Sequence, residues 1–168
     1  MIYRKGEERV MKNVKITDLL LFVIITELAG AVSGILSGGG FGAYYDTLVK
    51  PPLAPPGWVF PVVWGVLYAL MGVSAYIINA SDAPAKRQAI DLYWLQLLAN
   101  VLWSPAFFGL RSFGTAVAVV TIMIVLILLM LAVFMRIDKC AVWLSVPYLA
   151  WTLFAAYLTI GFYALNNG

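Results

Sequence analysis

Long apolar runs near residues 16–36, 57–79, 90–110, 113–135 and 141–165 alternate with short polar breaks, and one longer interval, 37–56, stands out among them. Each run approaches the roughly 20 residues a helix needs to cross a bilayer core. Backbone groups in lipid must bond within their own segment, and the strict alternation of a transmembrane barrel is missing, so the pattern predicts an all-α membrane protein, a five-transmembrane-helix bundle. Within the runs, special residues recur at helical spacing. The second places Pro61, Trp64, Tyr68 and Met71 on one face, the third Gln96, Asn100, Trp103 and Phe107, and the fifth Pro147, Trp151, Phe154 and Leu158, with Tyr148 and Ala155 adjacent. The fourth is nearly pure aliphatic from 116 to 131 and reads as a lipid-facing or dimer-facing helix.

Charge orients this bundle. Arg4, Lys5, Arg9, Lys12, Lys15, Lys86, Arg87, Arg136 and Lys139 fall on one side of an odd-span topology, and only Lys50 and Arg111 on the other. The positive-inside rule then gives a cytoplasmic N-terminus, with residues 1–15 as a basic tail, and an external C-terminus; residues 16–168 form a single five-span domain with 37–56 as its long outer loop. The first apolar run, preceded by basic residues, is open to reading as a secretory signal, but it continues to about Leu36 and is taken as a retained span. Composition agrees: 63% of the 168 residues are hydrophobic and 11% charged, against about 25% charged in a soluble domain. The basic residues are dispersed, so no nucleic-acid surface is expected. With no histidine and only Cys140, no internal disulfide can form; no metal site and no cofactor are expected.

Residues 50–68 carry the densest chemical signal. The prolines of Lys50–Gly57 stiffen the chain and exclude helix before about Gly57, after which Trp58, Trp64 and Tyr68 follow. A rigid lip and an aromatic wall suit a flat apolar ligand. Trp58, Tyr93, Trp94, Trp143 and Tyr163 lie near span ends and fit a membrane-interface belt; Trp64, Trp103 and Trp151 lie deeper, beside Gln96 and Asn100, where a polar-dotted cavity and ordinary bundle packing are both open.

Several residues outside these faces have two readings. Glu27 sits about 16 Å into the first helix, as a functional intramembrane carboxyl or as a protonated acid hydrogen-bonded to a neighbouring helix. Gly30, Gly34 and Gly38, backed by Ala29, Ser33 and Ser37, form a small-residue face for internal packing or a homodimer. Pro105 and Pro147 interrupt spans and each frees a carbonyl one turn earlier. Cys140 falls in a cytoplasmic loop.

Three ordered motifs on three runs carry a resemblance: Lys50-Pro51, Pro55-Pro56-Gly57-Trp58-Val59-Phe60, Val63-Trp64 and Leu67-Tyr68; Gln96-Leu97, Asn100, Trp103, Pro105 and Phe107-Phe108-Gly109; Trp143-Leu144, Pro147-Tyr148-Leu149-Ala150-Trp151 and Phe154-Ala155. Together the chain resembles the translocator protein family, also called peripheral benzodiazepine receptors or tryptophan-rich sensory proteins, in its bacterial form. The resemblance implies a five-helix bundle in the bacterial cytoplasmic membrane whose pocket binds porphyrins such as protoporphyrin IX, acting as sensor, scavenger or translocator. It implies ligand contacts from Tyr45, Asp46, Trp64, Tyr68, Asn100, Trp103, Ser104, Phe107, Trp151 and Ala155. Enzymatic activity is left open: Trp64 and Trp151 match tryptophans implicated in light- and oxygen-dependent porphyrin breakdown. Transport of another small apolar solute is a further alternative. The sterol motif is incomplete, because Leu158 and Tyr163 are followed by no basic residue, so a sterol is a poor expectation.

Overall fold

The computed structural model describes residues 15–38 and 41–166, and the basic tail expected over 1–15 lies outside it except for Lys15. The described residues are helical, without strands: α1 (Ile16–Leu36), α2 (Phe41–Thr47), α3 (Val59–Asn79), α4 (Lys86–Ser104), a π-helical turn (Pro105–Gly109), α5 (Phe113–Phe134) and α6 (Lys139–Asn166). The long helices close into a ring in which α1 packs on α3, α3 on α6, α6 on α5, α5 on α4 and α4 on α1. By length and composition, α1, α3, α5 and α6 can cross a membrane. Helix α4 begins four residues earlier than the apolar run, taking in Lys86 and Arg87, and its polar content keeps it outside that class.

Local chemistry explains where the elements start and stop. Pro61 is tolerated in α3 because it occupies the first turn, where amides lack intrahelical partners. Asp138 accepts from the Ala141 amide at 3.0 Å and caps α6, which places Cys140, exposed, in that helix's first turn and not in a loop. Helix α6 runs unbroken through Pro147, whose ring is on the exposed side. Pro105 instead opens the π-helical turn. The Val101 carbonyl, deprived of an amide at Pro105, accepts the Ser33 hydroxyl of α1 at 2.9 Å.

The long interval is not featureless. It contains α2, and its proline segment is sewn to α6: Asn166 exchanges two 2.9 Å hydrogen bonds with the Val49 backbone, and the Tyr157 hydroxyl donates to Pro52 O at 2.9 Å. Gly161 is needed there, since a Cβ would stand 2.6 Å from Pro51 Cβ.

The core corrects two faces. Helix α6 buries Tyr148, Thr152, Ala155, Leu158, Thr159 and Phe162; of the face expected, Leu158 and the adjacent Tyr148 and Ala155 are buried, Pro147 is exposed, and Trp151 and Phe154 are only half-buried. Helix α5 buries a full stripe, Phe113, Ala116, Val120, Met123, Ile127 and Met130, while Ile122, Val125, Leu128 and Leu129 are exposed. Tyr93 belongs to the core and not to the interface belt: it is buried and shares a hydrogen bond with Thr26 of α1. Trp58 and Trp143, 69% and 72% exposed, do suit the belt.

Candidate functional site

Where α1, α3 and α4 diverge, they leave a cavity of about 190 Å³ lined by Gly30, Ser33, Gly34, Ser37, Phe60, Pro61, Trp64, Tyr68, Asn100, Trp103 and Ser104. Helical spacing supplies each wall: Phe60, Trp64 and Tyr68 are successive turns of α3, and Asn100, Trp103 and Ser104 one face of α4. The Trp64 and Tyr68 rings stack, centroids 5.5 Å apart at 29°, making a flat aromatic surface. The third wall is α1, whose small residues leave the space open.

Behind the aromatic surface lies a hydrogen-bond chain. The Tyr68 hydroxyl donates to Asn100 Oδ1 at 2.6 Å, Asn100 Nδ2 donates to the Tyr148 hydroxyl at 3.1 Å, and that hydroxyl donates to Gln96 Oε1 at 2.6 Å. Each member is buried, so the chain holds Tyr68 and Asn100 in fixed orientations at the cavity wall. Ser37 and Ser104 share a 2.7 Å hydrogen bond across the α1–α4 seam. Among the described residues, the buried donors Gln96 Nε2, Trp103 Nε1 and Trp151 Nε1 have no partner. An acceptor carried by a bound molecule would satisfy such a group.

The expected residues separate into three places. Trp64, Tyr68, Asn100, Trp103 and Ser104 meet at the cavity. Tyr45, Phe107 and Ala155 surround a void of only about 10 Å³ with Phe60, Phe108 and Phe162, which is packing and not open space. Asp46 lines an outer crevice of about 630 Å³ together with Lys50, Pro55, Pro56, Trp58 and Pro61. Pro61 belongs to both crevice and cavity and forms the partition. Trp151 lines none of these three spaces; it packs on Phe60 with ring centroids 6.2 Å apart.

Helix α2 closes the end of the bundle. The Tyr45 hydroxyl donates to Pro55 O at 2.6 Å, and the Lys50 ammonium lies 4.5 Å from the Tyr45 ring centre and 2.9 Å from Asp46 Oδ1. Burial, with a smaller push from the Asp46 carboxylate, raises the Tyr45 hydroxyl above the ordinary tyrosine value, so it stays a donor.

Sequence reasoning missed the α1 wall. Gly30 and Gly34 belong to the small-residue face expected for internal packing or a homodimer, yet both line the cavity. A Cβ at Gly30 would lie 2.2 Å from Tyr68 Cε2, whereas one at Gly34 would meet nothing within 4 Å. The i, i+4 repeat was a usable signal for a smooth face, but it does not say whether a helix, a ring or empty space lies opposite. Glu27 is half-buried and lines none of these spaces; the hydrogen bond to a neighbouring helix expected of it does not form among the described residues.

These features define a multi-pass helical membrane protein with an aromatic cavity inside its bundle. Residues 22–165 match the family model described as TspO/MBR family. The chain is 32% identical to protein CrtK of Rhodobacter capsulatus over 155 residues, 91% of this chain and 95% of that protein. It is 39% identical to the tryptophan-rich sensory protein of Cereibacter sphaeroides over 123 residues, 73% of this chain and 77% of that protein. The translocator protein of Ovis aries is 34% identical over 136 residues, 79% of this chain and 80% of that protein. The chain belongs to the TspO/MBR family.

Proposed function

We propose that this protein binds a flat, largely apolar tetrapyrrole such as protoporphyrin IX against the Trp64–Tyr68 surface. The observation that carries the reading is convergence: residues from motifs far apart in sequence, Trp64 and Tyr68 on α3 and Asn100, Trp103 and Ser104 on α4, line one cavity. At about 190 Å³ that cavity is smaller than the roughly 300–1,000 Å³ of sites for drug-sized ligands. Binding therefore requires the partition at Pro61 to give way, joining the cavity to the outer crevice. Residues 16–168 are read as one five-span domain, with α4 as the additional span, a cytoplasmic N-terminus and an external C-terminus, on the charge distribution described above. The role proposed for that binding is sensor, scavenger or translocator, with transport of another small apolar solute as a further alternative.

Titration of purified protein with protoporphyrin IX tests this directly. Saturable quenching of tryptophan fluorescence is expected, and its absence would remove the proposal. Light-dependent porphyrin breakdown is the second reading, supported by Trp64 in the wall; Trp151, set behind Phe60, is less suited to a direct part in it.

A further inference from the structure

A second crevice, of about 640 Å³, lies beside α2, between the end of α1 and the π-helical turn. Its wall is mostly apolar, and Leu36, Leu102 and Leu110 are 57%, 49% and 73% exposed. One cation stands at its edge. Arg111 is exposed and holds a left-handed backbone, φ 51°, just after the π-helical turn, a position where glycine is the usual residue. An arginine kept at a conformational cost points to a use for its side chain.

Its surroundings leave that use open to an anion. The guanidinium carbon lies 4.7 Å from the centre of the Tyr44 ring, and among the described residues the guanidinium N–H donors make no hydrogen bond, which leaves them for a planar or tetrahedral oxyanion. No carboxylate pairs with Arg111 among the described residues. Lys50, the other basic residue beside α2, is by contrast neutralised by Asp46 at 2.9 Å. A fixed, unneutralised guanidinium next to lipid-accessible leucines is the chemistry of a headgroup site.

We propose that this crevice binds an anionic phospholipid, its phosphate on the Arg111 guanidinium and one acyl chain along Leu36, Leu102 and Leu110. Arg111→Gly is the informative variant, because it removes the guanidinium while suiting the left-handed backbone, so the fold is retained. Full-length protein would be equilibrated with equal amounts of phosphatidylglycerol and phosphatidylcholine of matched chains, and retained lipid read by native mass spectrometry. Wild type is expected to prefer phosphatidylglycerol by about fivefold. Arg111→Gly is expected near parity, Arg111→Lys between the two, and Lys50→Gln like wild type. An unchanged preference in Arg111→Gly overturns the proposal, as does an equal loss in Lys50→Gln, which would mean diffuse surface charge. Reduced protoporphyrin quenching in Arg111→Gly with the lipid preference intact also overturns it, assigning the cation to the ligand's carboxylates instead.

Discussion

The two halves of α1 differ in composition and in how they meet their neighbours: residues 16–26 are mostly large and aliphatic, while residues 27–36 carry Ala29, Gly30, Ala31, Ser33 and Gly34. In the first half, α3 presses against the backbone itself: a Cβ on Gly72 would stand 2.6 Å from Val23 Cα, and Thr26 is tied to Tyr93 of α4. In the second half, Gly34 faces empty space and Ser33 and Ser37 reach α4 through hydroxyls. Glycine therefore marks a seam at Gly72 of α3 and a cavity at Gly34 of α1. What differs is the partner: a glycine opposite backbone allows contact, while a glycine opposite Trp64 and Trp103, held back by their own packing, leaves a void.

The largest expected effect comes from breaking the seam. Gly72→Val puts three carbons where the Val23 backbone lies, and backbone cannot rotate away as a side chain can. Destabilisation of about 3 kcal/mol or more is expected, seen as a lower thermal midpoint in micelles and reduced folded yield. A wild-type melting curve would mean that α1 and α3 separate freely, and the contrast between the halves would collapse.

Filling the void is expected to act on binding alone. Gly34→Leu extends into the cavity, and replacing a helix-interior glycine favours the helix by about 0.5–1 kcal/mol relative to alanine-like reference states. Protoporphyrin affinity should fall at least roughly tenfold while thermal stability is kept or raised, since a leucine side chain takes up space the ligand needs in a cavity of about 190 Å³. Equal affinity in both proteins would place the ligand elsewhere.

The paired tryptophans sharpen the map further. Trp64→Phe trims the stacked surface and should weaken binding by about three- to tenfold, the scale of one aromatic contact. Trp151→Phe, behind Phe60, should stay within about twofold of wild type, because an aromatic pair of 0.5–1.5 kcal/mol there is not a ligand contact. The same titration in both variants decides it; a larger loss from Trp151 would show that the Phe60 wall opens towards α6.

Much of this map was legible in the chain. Apolar run length placed the helices, and the α4 face of Gln96, Asn100, Trp103 and Phe107 is buried as its spacing required. On α6 the expected and buried faces overlap at Leu158 and at the adjacent Tyr148 and Ala155, and diverge at Trp151 and Phe154, which are half-buried while Thr152 and Thr159 are buried. Tyr148 and Phe162 pack inward with the small residues, while Trp151 and Phe154 ride the flank. Helix α2 was hidden in a glycine- and proline-rich interval where periodicity is too short to read. The cavity's α1 wall was hidden for a different reason: a missing side chain gives no clue to what stands opposite.

The smallest effect concerns why the second half of α1 holds its distance. Pro105 cannot donate to Val101, and Ser33 supplies the missing donor at 2.9 Å. Ser33→Ala should cost about 1 kcal/mol, the net value of a typical intramolecular hydrogen bond. Pro105→Ala returns an amide to the helix, so in that background Val101 has its own partner and Ser33→Ala should cost much less. A double-mutant cycle on thermal stability isolates the term. Coupling near zero would mean that Ser33 is merely small, like Gly34; clear coupling means that the proline of one helix is answered by the serine of another, and that this pairing fixes the cavity's third wall.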